Sequence, residues 1–94
     1  MNYTVQYFID KFSAIPEEDW IIGEYQNEIG CCALGHCGER ETKATVDGRE
    51  LRILFRNFLG EDVSFINDGA SSSFPQDTPK ARVLSALKRI KELE

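Results

Sequence analysis

The chain is poor in the residues that carry thiol, imidazole and metal chemistry. Its 94 residues include one histidine, three cysteines, one tryptophan and one methionine. No apolar run approaches the ~20 residues of a membrane-spanning helix, so no membrane association is expected. The N-terminus, Met-Asn-Tyr-Thr-Val-Gln, shows no basic region followed by an apolar stretch, and no secretory signal is expected. With no export signal, the odd cysteine count points to free thiols in a reducing cytoplasm. Acidic residues outnumber basic ones, sixteen to eleven. The formal net charge is −5 and the pI about 4.9, which argues against direct nucleic-acid binding, since phosphates require a basic face.

The chain does contain enough apolar material for one core. Hydrophobic residues make up 41%, with six Phe and three Tyr among them, and the length suits a single globular domain over residues 1–94. The charge is uneven along it. Of eleven basic residues, five (Lys80, Arg82, Lys88, Arg89, Lys91) fall in residues 79–94, against only two of sixteen acidic ones. An acidic body therefore precedes a basic last segment.

Apolar spacing predicts four helices. Val5, Phe8, Ile9, Phe12 and Ile15 share one helical face, with Asn2 or Thr4 as N-cap and Pro16 as terminator. Residues 30–38 read as a second helix, rich in small side chains. Its internal glycines each cost roughly 1 kcal/mol relative to alanine, a cost that suits close approach to another backbone. Asp47-Gly48-Arg49-Glu50 has the form of a capping box before a stripe of Leu51, Leu54, Phe55 and Phe58, closed by Gly60. Thr78-Pro79 opens the last helix, whose buried face is Val83, Leu84, Leu87, Ile90 and Leu93. Residues 39–46 read as a polar loop. Residues 20–25 and 63–66 are β-rich and predict two short strands, the second closed by the turn sequence Asn67-Asp68-Gly69. The expected fold class is mainly α: a single compact four-helix domain, with a two-stranded ribbon from those two segments as an optional addition.

All three cysteines and the histidine lie within residues 31–38, Cys-Cys-Ala-Leu-Gly-His-Cys-Gly. Cys32 and His36 are i, i+4 on a helix, the spacing of two metal ligands on one face. No second pair exists to complete a tetrahedral site. The same residues could form a nucleophile and base, with the helix dipole lowering the thiol pKa and Asn67 or Asp68 orienting the imidazole. Thiol proteases, however, bring the base from a separate element. The preferred reading is structural: small, buried sulfur-bearing residues on a closely packed helix. Asn67 and Asp68 form a further candidate polar site, with turn chemistry as the simpler explanation. Glu17, Glu18 and Asp19 favour a helix start more than a bound cation. Lys88, Arg89 and Lys91 complement a helix C-terminus, and Trp20 reads as a core anchor.

Four motifs occur together: Ala-Ile-Pro-Glu-Glu-Asp-Trp-Ile-Ile-Gly at 14–23, the cysteine octapeptide at 31–38, Ile-Asn-Asp-Gly at 66–69, and Phe-Pro-Gln-Asp-Thr-Pro-Lys-Ala-Arg-Val-Leu-Ser-Ala-Leu at 74–87. In combination they resemble a group of small, uncharacterised proteins of bacteria and their phages. The resemblance implies a compact, mainly helical domain and assigns no activity. It also implies a shared framework in which the Asn67-Asp68 turn bonds to free N–H groups at the start of the cysteine helix.

The leading functional expectation is a cytoplasmic, non-enzymatic interaction or regulatory domain of phage or mobile-element origin. It would engage a protein partner, with a homodimer as one form, and use no cofactor. The alternative is a thiol- or metal-dependent hydrolase built on Cys32 and His36 with Asp68. A third, weaker option is an acidic nucleic-acid mimic.

Overall fold

The computed structural model describes residues 3–94. Five α-helices follow in order: α1 (Val5–Ser13), α2 (Ala33–His36), α3 (Val46–Leu59), α4 (Val63–Asn67) and α5 (Pro79–Leu93), with a 3-10 turn at Glu17–Asp19 after α1. The last helix, α5, is the hub, and every other α-helix packs against it. Among the described residues no helix is long and apolar enough to cross a membrane.

The three long helices form where the apolar stripes predicted. Val5, Phe8 and Phe12 of α1, Leu51 and Phe55 of α3, and Val83, Ala86, Leu87 and Ile90 of α5 are all buried in one cluster. Each helix begins at a hydroxyl cap. Thr4 accepts from the Tyr7 N–H at 3.0 Å, Thr45 from Gly48 at 3.2 Å and Thr78 from Ala81 at 3.2 Å. The alternative cap for α1, Asn2, lies outside the described residues. Gly60 ends α3 with φ +69°, a left-handed geometry that any Cβ would strain.

Four local expectations need correction. First, α3 starts at Val46, with Thr45 rather than Asp47 at the cap. The earlier start puts Gly48 inside the helix, where its missing side chain makes room for the Glu39 carboxylate. Secondly, the cysteine helix shrinks from residues 30–38 to the single turn α2, with Cys32 as its N-cap. Gly30 and Cys31 instead belong to a loop, where the Cys31 N–H donates to the Asp19 carbonyl at 3.0 Å.

Thirdly, residues 63–66 are helical. Val63 and Ile66 are i, i+3 and both buried, while Ser64 and Phe65 face outward, a helical period that outweighs the β-propensity of the residues. Fourthly, residues 20–25 make no ladder. Trp20 forms only an isolated bridge to Cys31, and Gly23 turns the chain away at φ +80°. The two-stranded ribbon is therefore not formed.

Candidate functional site

The turn α2 sits at the middle of the region that carries the candidate residues. Its glycine explains its position. A Cβ on Gly35 would overlap the Tyr25 carbonyl, and one on Gly30 would overlap that of Asp19. The small residues of 30–38 thus admit the backbone of the preceding loop. This is the close approach that their composition implied, although the partner is a loop rather than a helix.

Asn67 joins three segments at this point. Fully buried at the end of α4, it accepts from the Ala33 N–H at 3.1 Å through Oδ1, satisfying one free donor at the start of α2. Its Nδ2 donates to the Ile21 carbonyl at 2.9 Å and to Asp68 Oδ1 at 3.0 Å. That Asp68 oxygen also accepts from the Gly23 N–H at 3.2 Å. The Asn-Asp pair therefore pins residues 21–23 and α2 onto α4.

Cys32 spends its sulfur in the same framework. Sγ accepts from the Gly35 N–H at 3.4 Å, standing where a serine oxygen would cap the turn. Burial raises its pKa, outweighing the backbone N–H groups of Gly35 and Leu34 that lower it, and Asp68 raises it further. Cys37 is more deeply buried, and its thiol is pushed up to about 12, chiefly by desolvation and then by Asp47. Both thiols stay protonated at neutral pH, so neither is a ready nucleophile. All three cysteines are free.

His36 does not face Cys32 as a base. Its Nε2 lies 3.1 Å from the Asp19 carbonyl, and its ring packs on Trp20 at 4.8 Å between centroids. A carbonyl oxygen only accepts, so Nε2 carries the proton in this bond. Burial lowers the imidazole pKa, partly offset by the Asp19 carbonyl. The i, i+4 pair of Cys32 and His36 is thus split between two tasks, and Asp68 serves Gly23 and Asn67 rather than the imidazole. Among the described residues no group of three His, Cys, Asp or Glu side chains is placed to hold a metal ion.

A half-open cleft of about 320 Å³ lies beside this framework, lined by Gly23, Glu24, Tyr25, Cys32, Glu41, Ser64 and Asp68. Its ionisable lining is acidic apart from Tyr25 and the protonated Cys32 thiol. Such a lining disfavours a thiolate and offers no positive group to an oxyanion.

Two buried charges escaped sequence reasoning. Glu39, expected in a polar loop, is buried and receives Arg52 in a two-pronged ion pair at 2.6 and 2.8 Å. Gly48 in the first turn of α3 was the one signal of a close neighbour there. Arg82, counted with the basic last segment, is buried as well. It donates to the carbonyls of Ile66, Asn67 and Gln76, at 2.8 Å for its closest bond to Asn67, and so closes the C-terminal end of α4. Helical register was the available signal, since Arg82 is i, i+4 and i+8 with Ala86 and Ile90 on the buried face, while Lys88, Arg89 and Lys91 lie on the exposed one. No family model, no curated protein and no solved structure matches this chain.

Proposed function

We propose that this chain is a non-enzymatic interaction or regulatory domain acting in the cytoplasm. One observation carries the reading: Cys32, Cys37 and His36, three of the four residues that could perform thiol or imidazole catalysis, are already occupied in holding the fold, and Cys31 is left partly exposed. Cys32 caps α2, Cys37 is in the core, and His36 is bonded to a backbone carbonyl and stacked on Trp20. The motif set that resembles small bacterial and phage proteins supports the same reading, because its Trp, Cys-Ala-Leu-Gly, Asn-Asp and Thr-Pro elements all serve here as anchors or caps. A phage or mobile-element origin is part of this proposal.

What remains free for a partner is surface. Phe58 and Leu93 are exposed to 38% and 50%, and they line one groove together. Large hydrophobics scattered singly are ordinary, whereas a shared groove is a docking feature.

Thiol kinetics test the proposal against the hydrolase reading. In the native protein only Cys31, partly exposed, should react with a thiol reagent, and slowly, with Cys32 and Cys37 reacting on unfolding. A native thiol that reacts as fast as an activated cysteine, and loses that rate in His36→Ala, would overturn it.

A further inference from the structure

The groove between the end of α3 and the last turns of α5 encloses about 740 Å³. Phe58 and Leu93 supply apolar wall, and the rim carries Lys88 and Arg89 beside Glu61 and Glu92. None of these four charges has an ionic partner within 4 Å among the described residues, although three other ion pairs form in the molecule. Lys88 and Glu92 are i, i+4 in the less favourable order, with the cation N-terminal, and remain apart.

A groove walled by the exposed Phe58 and Leu93, with unpaired charges of both signs in its lining, is complementary to itself. A two-fold axis requires this property, since the same patch must serve on both subunits. A purely acidic or basic partner would satisfy only half of the rim. The overall charge of −5 opposes self-association at long range. At physiological salt, however, charges beyond about 8 Å are screened and local pairs govern.

We propose that the α3–α5 groove is a self-association surface, occupied by a second copy of this chain. The last turns of α5 cross antiparallel about a two-fold axis. Arg89 faces Glu92 of the second copy, and the reverse pair forms by symmetry. The outer half of each Leu93 enters the other copy's groove against Phe58. This inference rests on the reading of the chain as an interaction domain.

Sedimentation velocity of the full chain, from about 10 μM to about 1 mM, tests the pairing, since weak to moderate association falls in that range. The wild type should shift toward dimer as concentration rises, and Leu93→Asp should remain monomeric. Arg89→Glu and Glu92→Arg should each weaken association about tenfold, because symmetry counts each reversal twice. Mixing those two variants should restore it, as both cross-pairs become attractive again. All three positions are exposed, and melting curves confirm that each variant is folded.

A wild type that stays monomeric throughout overturns the pairing, as does dimerisation indifferent to these substitutions or a mixture no more associated than its components. A monomer that instead takes another protein in this groove overturns it too. None of these outcomes touches the thiol kinetics, which decide the interaction reading separately.

Discussion

The bundle of α1, α3 and α5 and the region made by residues 20–45 with α4 are held by different forces. In the bundle, side chains recur at helical spacing and bury against each other, with Phe8, Phe12, Leu51, Phe55, Val83, Leu87 and Ile90 in one cluster. In the second region regular structure is scarce, and single polar bonds do what a stripe does elsewhere. Asn67 alone meets the Ala33 N–H and the Ile21 carbonyl, while Arg82 gathers the carbonyls at the end of α4. The bundle is stabilised by summed area and tolerates small shifts. The loop region depends on a few atoms, and each is costly to leave unpaired.

That contrast can be broken at four points. The largest loss should come from Phe55→Ala, about 3–5 kcal/mol by denaturant unfolding, because the ring is wholly buried and its cavity cannot collapse fully. Next, Asn67→Ala combined with Asp68→Ala should cost about 2–4 kcal/mol, a fall in Tm of about 10–20 °C, since two buried backbone groups lose their partner. An unchanged Tm would mean that water or local relaxation replaces the side chain, and the two regions would not differ as described.

Gly35→Ala comes third and tests sign as much as size. Alanine is the better helix former by about 1 kcal/mol, yet its Cβ would overlap the Tyr25 carbonyl, and overpacking costs about 1–3 kcal/mol. A net loss should be measured. Asn57→Ala, on the exposed side of α3, should instead gain a few tenths of a kcal/mol, about the difference in propensity. If both substitutions stabilise, the close approach at α2 is not what places the glycine.

The smallest effect concerns pH. The folded His36 has a pKa below its ordinary 6.5, so the unfolded chain binds the proton more readily. The His36 contribution to stability should therefore be level above about pH 6.5 and decline as pH falls through the window below it. Tm measured down to pH 5 should show a shallower decline in His36→Phe than in the wild type. Equal slopes would remove His36 from the acid response.

The parts legible in advance were those whose signals are local. A stripe of Leu51, Leu54, Phe55 and Phe58 reports a helix because apolar residues recur at its period within a few turns, although Phe58 at its end stays exposed. Thr78-Pro79 and Gly60 mark helix ends through bonds that they make nearby. The strand expectation for 63–66 failed because four residues cannot separate a β-rich run from a buried helical turn. Val63 and Ile66 are buried by α5, which lies many residues away. The octapeptide was legible as a closely packed element but not in its extent, since the loop that enters beside Gly35 comes from residue 25. The partners of Glu39 and Arg82 were not legible, because they come from α3, from α4 and from the loop at Gln76.

From composition and spacing alone came the three long helices, the Thr78 cap and Thr4 as one of two alternatives for α1, the single core and the tight packing demanded by the glycines and cysteines of 31–38. These follow from interactions between near neighbours, which any stretch of chain declares for itself. Only the folded chain decided that Cys32 is a cap, that His36 looks toward the Asp19 carbonyl, that Asp68 holds a loop, and that Phe58 and Leu93 share one groove. Each of those depends on the direction in which a distant segment arrives. Direction is set by how four helices of unequal length fill the space around α5.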